Sequence, residues 1–221
     1  MSYSEKKLDI EIYKSEKSSH IKGYKIPDKV CDDMIEWFHV RKDLSHPVDR
    51  NNFEKNYRIK KSTDISVHKE WISEYRELQN YQEHLDFCID DYVNTYSIPL
   101  SEMPLSIISP YNIQWYKPNE GFPKLHCERA PNDESLFRVL VWMTYLNDVE
   151  DGGTFFPSQN IKLEAKKGDT WIWPADFTHP HKGQIVNKHK YIATGWVEYA
   201  EILPFIENKA DTFEETIYEE L

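Results

Sequence analysis

The sequence predicts a mainly β member of the α+β class, a β-sandwich or barrel braced on one face by N-terminal helices. Three observations carry this. Helical periodicity dominates the first hundred residues, with one long amphipathic stretch, HKEWISEYRELQNYQEHLDFCIDDYV. From residue 103 onward, short runs of alternating apolar, aromatic and β-branched residues are split by turn signals: ISPYN, KPNEGFP, NDVEDGGT, KKGDT and NKH. Helices first and many short strands afterwards give segregated layers around one core. A chain of 221 residues buries such a core as a single domain. Its parts are an N-terminal strand with supporting helices (1–102), a β core (103–200) and a C-terminal extension (201–221).

Each element follows in order. Residues 8–14 (LDIEIYK) alternate like an edge strand. Pro27 opens PDKVCDDMIEWFHV, where Val30, Met34 and Phe38 recur at helical spacing. Residues 63–67 (TDISV) predict a short strand or turn. In the long helix, Trp71, Tyr75, Leu78, Leu85, Ile89 and Tyr92 form one stripe, read as core packing. The strand candidates beyond are IIS, NIQWY, KLHCE, FRVLVWMTYL, TFFP, KLEAK, TWIWPA, GQIV and KYIATGWVEY. Phe213, Ile217 and Leu221 have the spacing of a terminal helix, docked or else frayed.

Charge and composition narrow the function. With 27 Lys and Arg against 38 Asp and Glu, the net charge is −11, which repels phosphate backbones and argues against nucleic-acid binding. No apolar run reaches the ~20 residues of a membrane span, and MSYSEKKLDIEIYKSEK lacks the apolar core of a secretory signal. Cys31, Cys88 and Cys127 fit no CxxC pattern and read as reduced thiols. The expected location is therefore cytoplasmic.

Chemistry concentrates in LHCERAP (125–131). On an extended strand successive side chains alternate faces, so His126 and Glu128 project together and Cys127 points away, as a small core residue. Two imidazoles and a carboxylate on a rigid sheet suit a non-haem Fe(II) that activates oxygen. FTHPHKG supplies the second imidazole as His179 or His181, which share a face and are not separated by parity. On the following strand Lys190, Thr194 and Trp196 share a face. A lysine there is costly to bury unless an anion meets it, or else it reaches to the rim.

The order HCE, LNDVEDGGTFFP, then GDTWIWPADFTHPHKGQIVNKHKYIATGW resembles the prolyl 4-hydroxylase-like branch of the Fe(II)/2-oxoglutarate dioxygenases, over residues 111–199. The resemblance implies a double-stranded β-helix (jelly roll), with Fe(II), 2-oxoglutarate and O2 as cofactors and ascorbate as reductant. It implies His126, Glu128 and His181 as iron ligands, and Lys190 and Tyr116 on the far carboxylate of 2-oxoglutarate. Thr154 matches the family's GGeT threonine, Trp196 its pocket tryptophan, and Arg138 an arginine near the substrate groove, or else a structural salt bridge. His179 is left to a supporting or substrate-facing role. Three departures stand out: Glu128 replaces Asp, DGGTFF lacks the Glu of GGeT, and His181 to Lys190 spans nine residues rather than ten. The implied substrate is a prolyl residue in a peptide or protein, in a groove framed by the loop-like segments 45–62 and 117–124. The alternatives are the same chemistry on a free amino acid or other small molecule, and a non-catalytic jelly-roll binding module.

Overall fold

The computed structural model describes residues 8–13, 19–53, 57–131 and 135–200. The expected terminal helix at 213–221 lies outside them. In chain order the elements are β1 (Glu11–Ile12), β2 (Lys22–Lys25), α1 (Asp28–Val40), β3 (His46–Asn52), β4 (Tyr57–Val67), α2 (Lys69–Ile72), α3 (Arg76–Thr95), β5 (Leu105–Ser106), β6 (Tyr111–Tyr116), β7 (Arg138–Tyr145), β8 (Thr154–Phe156), β9 (Ile161–Lys162), β10 (Asp169–Pro174), β11 (Lys182–Gly183) and β12 (Lys190–Tyr199).

Among the described residues these strands make a major antiparallel sheet, ordered β1-β2-β10-β7-β12-β6-β4-β3 with β5 beside β12, and a minor sheet ordered β11-β8-β9. This is the jelly roll of a mainly β fold. Strand parity divides the core. Along β12, Tyr191, Ala193 and Val197 face the helices, while Ile192 faces the minor sheet. On β7, Leu140 and Trp142 face the helices, and Val141, Met143 and Tyr145 face the opposite way. Trp142 is fully buried against this seam, and truncating such a side chain costs about 3–5 kcal/mol. Gly195 is required beneath it, since a Cβ there would lie 2.6 Å from Trp142 Cζ2 and 2.7 Å from Tyr111 Cβ.

Helix α1 buries Val30, Cys31, Met34, Trp37 and Phe38, the stripe that its spacing predicts. The second predicted helix is two. Residues 73–75 interrupt it, where the N–H groups of Glu74 and Tyr75 both turn back to the Trp71 carbonyl. Leu78, Leu85 and Tyr92 of α3 are buried, whereas Trp71, Tyr75 and Ile89 pack at its edge.

Two expectations are corrected around β3 and β4. TDISV is strand but belongs to the longer β4, and the described residues of the loop-like segment 45–62 are mostly the paired strands β3 and the start of β4. The reason is an amphipathic strand with reversed polarity. Ile65 and Val67 point into the core, while Lys60, Ser62 and Asp64, equally buried, point to the other face.

Candidate metal centre and its cavity

KLHCE is not a strand. His126 makes one isolated bridge to His181, its N–H donating to the His181 carbonyl at 3.0 Å and receiving the reciprocal bond at 2.9 Å. Two residues on, Glu128 N–H donates to the Ala175 carbonyl at 3.1 Å. His126 and Glu128 nonetheless project into the same cavity, the outcome that parity predicts, without a continuous ladder. Parity fails for Cys127, which is half-buried at the cavity wall and not in the core.

Glu128 Oε1 lies 3.2 Å from His126 Nε2 and 3.4 Å from His181 Nε2, and one ligand atom from each residue falls within 4.8 Å of the others. The His126 Nδ1 is 2.8 Å from the Lys124 carbonyl and the His181 Nδ1 3.0 Å from the His179 carbonyl. A carbonyl only accepts, so each Nδ1 carries the proton and each Nε2 turns inward. Burial alone would raise the Glu128 carboxyl, but the His126 and His181 imidazoles override it and hold it well below the usual carboxylate range. Two inward nitrogens facing an ionised carboxylate form a donor set that a divalent cation completes on one face. The residues therefore fit Fe(II).

Aromatic rings fix these ligands in place. Phe122 stacks on His126 with centroids 3.9 Å apart, and Phe156 and Trp173 flank His181 at 5.3 and 5.1 Å. The outer oxygen of the carboxylate, Oε2, accepts the Trp196 indole N–H at 3.0 Å and lies 3.6 Å from Arg138 Nη1. Arg138 also donates to the Glu128 carbonyl at 3.2 Å and stacks 3.5 Å above the Trp196 ring. Arg138 thus makes a salt bridge and also lines the cavity.

That cavity is about 780 Å³, lined by strands of both sheets. At one end, Lys190 is 4% exposed, donates to the Gly152 carbonyl at 2.9 Å and lies 4.8 Å from the Tyr116 ring centroid. Burial pushes its ammonium down to about 8. A buried cation without a carboxylate partner is a site for an anion. Tyr116 and Thr154 line the same cavity, but their hydroxyls are already engaged, Tyr116 with Gln114 Oε1 at 2.6 Å and Thr154 with the Tyr145 hydroxyl at 2.8 Å. Lys190, Thr194 and Trp196 do share the inner face.

His179 is placed elsewhere, which corrects its substrate-facing role. It ends a turn closed by its N–H on the Asp176 carbonyl at 3.0 Å, so strand parity does not apply. Its ring turns to the Ser19 carbonyl, with Nε2 at 2.8 Å, and only its own carbonyl serves the site, through His181.

The sequence reading missed Lys60 and Asp64, an ion pair at 2.6 Å whose side chains are 6% and 4% exposed in the wall of the same cavity. Burial lowers the Lys60 ammonium despite Asp64. The period-two run of Lys60, Ser62 and Asp64 was the available signal.

Residues 111–198 match the family model described as the 2OG-Fe(II) oxygenase superfamily. No curated protein sequence matches the chain. Among solved structures, viral collagen prolyl hydroxylase from Paramecium Bursaria Chlorella virus-1, in a 2OG complex, is similar at 19% identity and a TM-score of 0.61, covering 83% of this chain and 98% of that one. A Pseudomonas putida prolyl-4-hydroxylase is 14% identical with a TM-score of 0.60, over 84% of this chain and 95% of that one. A Trichoplax adhaerens prolyl hydroxylase, in complex with a hypoxia inducible factor oxygen degradation domain peptide fragment, is 14% identical with a TM-score of 0.60, over 83% and 85%. At these identities the likeness is one of fold.

Proposed function

We propose that this chain, an Fe(II)- and 2-oxoglutarate-dependent dioxygenase, hydroxylates a prolyl residue in a peptide or protein. The observation that carries the reading is the convergence of His126 Nε2, His181 Nε2 and Glu128 Oε1 in the same cavity as the buried ammonium of Lys190. When bound, iron and 2-oxoglutarate supply the oxidising power that side-chain acids and bases lack. In the balanced reaction one atom of O2 enters the substrate C–H bond to give C–OH. The other enters succinate as 2-oxoglutarate loses CO2.

The protein's part is holding and excluding. His126, Glu128 and His181 would hold the metal by one face. Trp196 and Arg138 fix the outer oxygen of Glu128, so that Oε1 stays turned toward the two imidazoles. Lys190 would pair with the far carboxylate of 2-oxoglutarate, with Tyr116 and Thr154 shaping that end. The prolyl assignment is supported by the fold shared with prolyl hydroxylases and by a cavity bordered by the β3–β4 hairpin.

Succinate release with proline-rich peptides, against the same peptides carrying Ala for Pro, tests this. Turnover that depends on Pro, with a mass gain of one oxygen on that residue, is expected. Succinate release that no peptide stimulates would overturn the prolyl substrate while leaving the oxygenase chemistry in place.

A further inference from the structure

Building on the prolyl-peptide reading, we propose that a basic, apolar groove adjoining the metal cavity selects substrates with a carboxylate and an apolar side chain close to the hydroxylated residue. The groove, about 470 Å³, is lined by Arg58, Pro123, Lys124, Leu125 and Ile185. Lys124 also lines the metal cavity, so the two adjoin at this residue.

Charge is the first argument. The chain carries −11 overall, yet the described residues lining the metal cavity include Arg50, Lys60, Lys124, Arg138 and Lys190 against only Asp64 and Glu128. Lys60 and Arg138 are neutralised within the cavity by Asp64 and Glu128. Lys190 would be neutralised by the co-substrate. Arg50 and Lys124 remain, and Arg58 adds a third cation where no described acid lines the groove. A local positive field in an acidic protein draws and orients an anionic partner. Nucleic acid is disfavoured because the rest of the surface repels it.

Apolar exposure is the second argument. Leu125 and Ile185 are 49% and 52% exposed and meet in this groove. An apolar pair rimmed by cations suits a side chain such as leucine beside a carboxylate better than a fully charged segment.

Position is the third. The groove begins two residues from a metal ligand, since the Lys124 carbonyl faces His126 Nδ1 at 2.8 Å. An extended peptide rises about 3.3 Å per residue, so a residue two or three positions from the target would lie over it. The wall is also pre-formed. Lys61 and Gly121 exchange backbone bonds of 2.9 and 3.2 Å, Gly183 N–H donates to the Phe122 carbonyl at 2.9 Å, and Arg58 donates to the Asn119 carbonyl at 2.5 Å. A groove held from both sides loses little freedom on binding.

The test is peptide binding by fluorescence anisotropy, on full-length protein loaded with Mn(II) and 2-oxoglutarate under anaerobic conditions. Four labelled peptides share one Leu and differ in Glu or Lys flanks and in a central Pro or Ala. The Glu-flanked peptides are expected to bind at least ~10-fold tighter than the Lys-flanked ones at low salt. Lys124→Glu, and separately Arg58→Glu, should erase or invert that preference; if Arg58→Glu does not fold, Lys124→Glu decides. Equal binding of acidic and basic peptides by the wild type, or a preference unmoved by Lys124→Glu, would overturn the proposal. So would an oligothymidylate competing as well as the acidic peptide. The central residue separates the two readings: Glu-dependent binding with no hydroxylation of the Pro peptide contradicts the prolyl substrate and leaves the groove assignment standing.

Discussion

Trp196 donates its indole N–H to Glu128 Oε2 at 3.0 Å, while Oε1 of the same carboxylate lies within 3.4 Å of both His126 and His181 Nε2. One oxygen is held from outside and the other is offered inward. If Glu128 serves where the resembling family has aspartate, this clamp is what would set the position of its longer side chain.

Trp196→Phe keeps the ring but removes the donor. Loss of such a supporting hydrogen bond typically costs about 10–100-fold in metal affinity. Titration of the folded variant with Mn(II) should show a decrease in that range. Wild-type affinity would show that Trp196 packs beside Glu128 without orienting it.

Glu128→Asp would resemble the family's usual ligand yet should weaken binding here. Shortening the side chain by roughly 1.5 Å pulls one oxygen from Trp196 or the other from the imidazoles. A decrease in Mn(II) affinity with an unchanged melting temperature is the expected result. Tighter binding would mean that the backbone at 128 is already placed for aspartate.

His181→Ala should abolish turnover, whereas His179→Ala should only reduce it. Replacing His179 leaves the Ser19 carbonyl without its 2.8 Å partner, a loss of ~1–2 kcal/mol in stability. The His179 backbone carbonyl that orients His181 survives the substitution. Chemical denaturation together with metal titration separates the two effects; loss of metal binding in His179→Ala would contradict the assignment.

Lys190 links pH to both stability and co-substrate binding. Burial lowers its ammonium from 10.5 to about 8, so holding it charged at neutral pH costs the ligand-free fold ~3 kcal/mol. Between about 8 and 10.5 the unfolded chain binds the extra proton, so this group makes stability rise with pH across that window. Lys190→Met should therefore be the more stable protein at pH 7, with the gap narrowing toward pH 10. The same variant should lose 2-oxoglutarate affinity by ~3–5 kcal/mol. In the wild type, 2-oxoglutarate should bind more weakly as pH rises above about 8, because binding then requires proton uptake. Equal 2-oxoglutarate affinity in wild type and variant would remove Lys190 from the site.

Where the sequence was legible, a local periodicity coincided with the environment. The α1 stripe, the alternation on β7 and β12, and the shared side of His126 and Glu128 all follow from the geometry of helix or extended chain. Where it was not, tertiary context overrode the local pattern. A turn at 176–179 rotates His179 away, although the sequence HPH gives it the same parity as His181. Cys127, of a residue type that is usually buried, sits half-buried at the cavity wall. Lys60 reads as a loop residue, and Asp64 as part of a short strand or turn, because their strand points its polar face inward, toward a cavity that only the closed sheet creates. The break between α2 and α3 has no proline or glycine to announce it.

The central claim is that His126, Glu128 and His181 hold iron beside a 2-oxoglutarate anchored on Lys190. Anaerobic titration with Fe(II) and 2-oxoglutarate tests it directly. A visible charge-transfer band that saturates at one iron per chain, and is lost in His181→Ala, is the predicted result. Folded wild-type protein that gives no band would contradict the claim and make the cavity a binding pocket without oxygenase chemistry.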